Sequence, residues 1–277
     1  MLATRVDASL LISLSRRCTL QPMNRSQFHK LFKAPGPVVL PVIHVLDSAQ
    51  AIANAGWAIG AGASGVFLIN HDFPPPAFLP IIRDVRSHYP SLWMGVNFLA
   101  VTGHEAFPLL GELHRGGCVV DAYWADDARI DERAAIDAQA EAGLIDRARR
   151  DSGWDGLYFG GTCFKKQREV APEHYGAAAE RASAFMDVVT TSGVATAHAP
   201  DLGKVEVFRQ AIGDAALALA SGITPDNAHL FVQHVDCFMV ATGVNRPGDF
   251  YNIDPVRLER LMVITREGGR QQGAASA

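Results

Sequence analysis

The chain has 277 residues, 48% of them hydrophobic and 19% charged, with 25 glycines. That suits one large α/β domain, since barrels of this class run to about 250 residues, and it excludes a disordered chain. A formal charge of -4 gives no general attraction to phosphate backbones or anionic surfaces, so no nucleic-acid partner is expected.

The four cysteines, Cys18, Cys118, Cys163 and Cys237, form no CxxC pair. Neither a zinc ribbon nor a disulfide framework is indicated, and a reducing compartment fits best. No apolar run reaches the roughly 20 residues that cross a bilayer, so a cytoplasmic protein without membrane insertion is expected.

Met1 to about Gln27 carries Arg5, Arg16, Arg17 and Arg25 against a single acid, Asp7. The segment reads as a disordered tail or as an upstream extension with Met23 the true start. The alternative is a transit peptide, which would make the location organellar. The folded domain is expected over 28–277.

From Val38 onward, short apolar runs alternate with amphipathic stretches. Strands are expected over Val38 to Val45, Gly65 to Asn70, Leu92 to Leu99, Cys118 to Trp124, Gly156 to Phe159, Asp187 to Thr191, Ala216 to Ala220 and Cys237 to Ala241. Nearly uncharged and rich in β-branched residues, they fit parallel strands covered by helices.

Helix starts are read at Ser48, Pro75, His104, Asp131, Pro172, Asp201, Thr224 with Pro225, and Asp254 with Pro255. The longest helix is expected from Asp131 to about Asp151, with Glu141, Asp146, Arg147, Arg149 and Arg150 on a solvated face. Gly56, Gly60, Gly62 and Gly65 follow no GxGxxG pattern and read as helix packing and a C-cap rather than a dinucleotide site. Eight such units close into a (β/α)₈ TIM barrel.

In such a barrel the site lies at the C-terminal strand ends. The turns Ser221, Gly222, Ile223 after strand seven and Thr242, Gly243 after strand eight are expected to bind phosphate, with Ser192 and Gly193 after strand six as a third wall. Glycine admits close backbone approach, and helix N-termini favour anions.

For proton transfer the candidates are His44, inward on alternation with Leu40 and Val42, Asn70, Asn97, and Asp121 or Asp126 bracketing strand four. Lys165 stands after strand five among only five lysines, placed to neutralise an anion or form a Schiff base. Cys163 lacks a visible base. No metal-ligand spacing occurs, and no cofactor is required by the sequence; Mg²⁺ on Asp72, Asp121 or Asp126, and FMN on the glycine turns, stay as alternatives.

Read together, the strand through His44, Gly65 to Asn70, Gly95 to Leu99, Asp121 with Asp126, Ser192-Gly193, Ser221 to Asn227, Ala241 to Val244, and Asn252, Asp254 and Arg257 resemble the BtpA/SgcQ family of predicted phosphate-binding TIM barrels. The resemblance runs from about Val38 to Met262 and is most specific in the C-terminal third. The chain departs from the pattern at Leu46 to Gln50 and at Asn245, Arg246 and Pro247, where Arg246 replaces a common lysine.

The resemblance implies the barrel strongly and the reaction poorly. The expectation is an enzyme acting on a phosphorylated sugar or nucleotide-like molecule by isomerase, lyase or glycosyl-transfer chemistry, compatible with a homo-oligomer. The alternatives are a non-catalytic assembly factor and an FMN enzyme.

Overall fold

Strand formation follows the apolar runs closely in a computed structural model, which describes residues 22–165, 167–193, 198 and 201–275, with side chains through 269. The strands are β1 (Val38–Val45), β2 (Val66–Asn70), β3 (Met94–Asn97), β4 (Ala122–Ala125), β5 (Leu157–Gly161), β6 (Val188–Ser192), β7 (Ala216–Ala220) and β8 (Cys237–Val240). All pair in parallel and in sequence order, and β8 returns to β1 to close the ring. The chain is a (β/α)₈ barrel.

Helices α1 (Arg25–Phe32), α2 (Ser48–Gly60), α3 (Pro75–His88), α4 (Gly103–Arg115), α5 (Ala140–Ser152), α6 (Tyr175–Ser183), α7 (Leu202–Ile212) and α8 (Pro255–Ala275) accompany the strands. None among the described residues is long and apolar enough to cross a membrane.

Because successive strand residues face opposite sides, Leu40, Val42, Phe67, Ile69, Trp124, Phe159, Val188, Ala218 and Met239 fill the barrel interior. Val39, Ile43, Leu68, Val96, Val189 and Leu219 pack outward with buried residues of the helices. Phe67 and Phe159 are fully buried, each contributing about 1.5–3 kcal/mol. Gly95 makes room for the Phe67 ring: a Cβ there would lie 2.3 Å from Phe67 Cε1.

The N-terminal end is stoppered by α1. Asn24 and Gln27 form a reciprocal capping box, Asn24 bridges Ala215, and the buried Phe28 ring meets Phe159 at 6.2 Å. The expected domain boundary at residue 28 therefore falls inside a helix that belongs to the barrel. The expectations for the segment before residue 22 lie outside the described residues.

Below the barrel, Asp236 is fully buried and accepts from Arg25 Nε (2.8 Å), His29 Nε2 (2.9 Å), Arg209 Nη1 (3.0 Å) and Leu217 N (2.9 Å). Burial alone would raise its pKa, but these donors hold it below the ordinary carboxylate value.

Three expectations about elements are corrected. After β7 no α-helix follows: Thr224 N donates to Asn227 Oδ1 (2.8 Å), Asp226 N to Thr224 Oγ1 (3.2 Å) and Asn227 Nδ2 to Gly222 O (2.8 Å). The caps fold back on the turn, and only a 3₁₀ turn, Ala228–Leu230, precedes β8. The helix read from Asp131 starts at Ala140, because Gln139 bonds both Asp131 N and Asp131 O in a loop. Among the described residues the longest helix is α8. Arg149, read as solvated, is buried and pairs with Asp187 Oδ2 at 2.5 Å.

Removing the Asp236 carboxylate leaves the half-buried Arg25 and Arg209 guanidinium groups and the buried Leu217 N–H without this partner. Asp236→Ala is expected to lower stability by about 3–5 kcal/mol, measured by urea denaturation. A loss below about 1 kcal/mol, the scale of an exposed pair, would show that the network is not a stabilising centre.

Candidate functional site

On the β1 and β2 side of the mouth, His44 continues the inward phase of Leu40 and Val42 and is 7% exposed. Its Nδ1 lies 2.9 Å from Phe250 O; a carbonyl only accepts, so Nδ1 carries the proton, and Nε2, which bonds no described residue, keeps its lone pair. Burial, then the neighbouring His71 and the Lys165 charge, lower its pKa to about 4 against the Phe250 carbonyl and Asp72. The ring is therefore neutral at pH 7.

Over it lies the loop 241–254 that follows β8. The Phe250 ring sits 3.9 Å from that of His44 and 5.2 Å from that of His71. Tyr251 Oη donates to Asp72 Oδ2 at 2.9 Å, while Gln50 and Asn54 of α2 bond Tyr251 O and Ile253 N. Asn245 Nδ2 also donates to Phe250 O, at 2.8 Å. This loop, with Phe250 and Tyr251, was not expected; no local signal marks a chain that folds back 200 residues later.

On β3 and β4, Asn97 Nδ2 donates to Asp126 Oδ1 at 3.2 Å, which fixes the amide orientation. Asn97 Oδ1 and the indole Nε1 of Trp124 are buried without a partner, an arrangement costing about 1–3 kcal/mol per group.

The β5 to β7 side carries the cations. Lys165 N donates to Ser192 Oγ at 2.8 Å, and Lys165 Nζ reaches Ser221 Oγ at 3.2 Å. Ser221 and Gly222 stand at φ +74° and +73°, a left-handed conformation that costs a non-glycine residue about 1–2 kcal/mol. Such strain clusters at functional turns.

Behind them Lys204 of α7, which strand-end position alone does not single out because it lies on a helix, is 8% exposed. It donates to Cys163 O (2.5 Å) and Ser192 O (2.8 Å) and lies over the Tyr175 ring at 5.2 Å. Burial lowers its pKa to about 8, opposed by Cys163 and Asp201. Lys204 thus ties the residues on which Lys165 is hung.

Several expected residues take other places. Ser192 Oγ gives its proton to Gly193 O (2.9 Å), so it holds Lys165 rather than donating to an anion. Gly193 is buried; of the loop that follows, only residue 198 is described before residue 201.

Ile223 packs in the outer core. A Cβ on Gly243 would lie 1.8 Å from Ile223 O, so this glycine permits close contact between two loops. Thr242 is half-buried, and its hydroxyl bonds no described residue.

Asn70 faces outward in phase with Leu68. Its amide donates to Phe73 O (2.6 Å) and accepts from Leu99 N (3.1 Å), which clamps two loops.

Asp121 precedes β4 at the N-terminal end, where Arg86 Nη2 (2.7 Å) and Met94 N (2.9 Å) donate to it. It is on the wrong side of the barrel, and the carboxylates weighed for Mg²⁺ do not converge. Among the described residues no three His, Cys, Asp or Glu side chains form a metal-ligand group.

Arg246 stacks on Trp57 at 4.7 Å instead of entering the turn. Burial pushes the Cys163 thiol up to about 11, leaving it protonated and poorly nucleophilic.

Neither a family model nor a curated protein matches the chain. Solved structures do. Tryptophan synthase subunit alpha from Legionella pneumophila is 14% identical with a TM-score of 0.58, over 90% of this chain and 99% of that one. Phosphoribosyl anthranilate isomerase from Thermus thermophilus is 13% identical with a TM-score of 0.54, over 82% and 97%.

(S)-3-O-geranylgeranylglyceryl phosphate synthase from Thermoplasma acidophilum, solved with substrate sn-glycerol-1-phosphate, is 14% identical with a TM-score of 0.56, over 88% and 99%. At these identities the likeness shows the barrel fold alone.

Ser221→Gly is expected to raise stability by about 1 kcal/mol through relief of the left-handed strain, and to weaken anion binding through loss of the Lys165 contact. Opposite signs in denaturation and titration calorimetry check this; a stability loss sinks it.

His44 makes acid stability a second test. Its unfolded value of 6.5 exceeds the folded value of about 4, so between them the unfolded chain binds the proton and the folded chain does not. The contribution is whole above pH 6.5 and is lost as pH falls toward 4, by about 3 kcal/mol. His44→Leu should flatten that limb in urea denaturation across pH.

Proposed function

We propose that the chain is an enzyme acting on a phosphorylated small molecule of the sugar-phosphate type, bound across the C-terminal mouth. The observation that carries this is the Lys165 ammonium held 3.2 Å from Ser221 Oγ on a strained Ser221-Gly222 turn. A cation, a hydroxyl and a glycine turn that admits close backbone approach meet there, the donor set a phosphate ester requires. Structures of the same fold named for phosphorylated compounds, one holding sn-glycerol-1-phosphate, support the substrate class.

The reacting end lies on β1 to β4. His44 offers a fixed Nε2 lone pair, and Asp126 a carboxylate bound by Asn97, so a proton can move between substrate and either group. Phe250 keeps water from the His44 face and holds its tautomer through the backbone carbonyl. This arrangement suits isomerase or lyase chemistry, in which a proton leaves and returns while the phosphate stays fixed. The gathering of polar strand-end groups favours this reading over a catalytically idle barrel. The resemblance to the BtpA/SgcQ family is consistent with it.

Lys165→Met is expected to weaken binding of inorganic phosphate and glycerol 1-phosphate by about tenfold or more, a loss of about 1.4 kcal/mol, in titration calorimetry. Unchanged affinity in a folded variant would falsify the anion site.

A further inference from the structure

We infer that Asn97 and Trp124 together form a hydroxyl-recognition subsite, which restricts the substrate to phosphate esters of hydroxylated carbon chains. This deepens the reading of the mouth as a phosphate-ester site and rests on it.

The two residues are neighbours by register. Gly95 pairs with Ala122 and Val96 with Tyr123, so the next step sets Asn97 beside Trp124. Ala122 and Trp124 belong to the interior cluster, and Asn97 shares the phase of Gly95, whose inner face meets Phe67. Both side chains therefore point into the barrel at the same level, two residues before Asp126, where the loop begins. Asn97 is 1% and Trp124 5% exposed.

The polar atoms left over are complementary. Asp126 Oδ1 only accepts, so the Asn97 amide must turn its NH₂ toward it and present Oδ1 elsewhere. That oxygen is an acceptor without a donor, and Trp124 Nε1 is a donor without an acceptor. A hydroxyl satisfies both, since its proton goes to the amide oxygen and its lone pair takes the indole N–H.

A charged group would be poorly served, because neither atom carries charge. A bulky planar ring meets aromatic walls: Trp124 contacts Phe67 at 6.1 Å and Phe164 at 5.8 Å between centroids. In a ring of eight strands β3 stands opposite β7, so the subsite faces the Ser221 turn across the mouth. A phosphate at one wall and a hydroxyl at the other define a short polyol or sugar phosphate. Sites built to bond a hydroxyl reject analogues lacking it, because their buried polar groups stay unpaired.

The test is titration calorimetry of the full chain with glycerol 1-phosphate and with n-propyl phosphate, which keeps the phosphate and carbon chain but lacks the hydroxyls. The wild type should bind the glycerol ester about tenfold or more tightly. In Asn97→Leu, which keeps the branched shape, and in Trp124→Phe, the preference should shrink to about twofold or less, while n-propyl phosphate still binds.

Equal binding of both esters by the wild type overturns the subsite, the pair then holding an ordered water only, and leaves the anion site standing. A preference that persists in both variants likewise overturns it. Failure of both esters to bind the wild type removes the phosphate reading and the subsite with it.

Discussion

Closing eight parallel strands into a ring commits each strand side chain to the interior or to the helix layer, with no intermediate position. Everything at the mouth depends on that phase. His44 stands above Val42 and Leu40 and so enters the mouth; Asn97 shares the phase of Gly95 and enters too. Asn70 stands above Leu68, faces outward, and clamps the loops at Phe73 and Leu99. Two asparagines at neighbouring strand ends thus differ in role by a single residue of phase.

The two halves of the mouth are built by different forces. On the β5 to β7 side the frame is electrostatic. The Lys204 ammonium is held by two carbonyls and aromatic faces, fixing Ser192, on whose hydroxyl the Lys165 backbone hangs. Charge-assisted hydrogen bonds in a low-dielectric setting are stronger than neutral ones, so the position of Lys165 is set from a helix that never enters the mouth.

On the β1 and β2 side the frame is packing. Phe250 lies on two histidines, and the loop that carries it is anchored to α2 by Gln50 and Asn54. Burial keeps His44 neutral, and the Phe250 carbonyl chooses its tautomer. A cationic wall beside a neutral histidine suits a substrate with an anion at one end and a transferable proton at the other.

The sequence by itself determined the barrel. Runs of four to eight apolar residues at regular spacing admit few closed arrangements, and the limits of β1 and β7 could be read to the residue. It also determined that Lys165, Ser221 and His44 lie at C-terminal strand ends, because strand direction alone places them.

Tertiary structure decided what proximity and burial control. Asp121 proved to lie before its strand and to pair with Arg86; Gly243 proved to accommodate Ile223 O; Arg149, Lys204 and Phe250 acquired roles from partners 38 residues away in the first case, and more than 200 in the last. Periodicity reports which face a side chain takes. Which partner waits there depends on how the ring closes and how loops from distant elements fold over it.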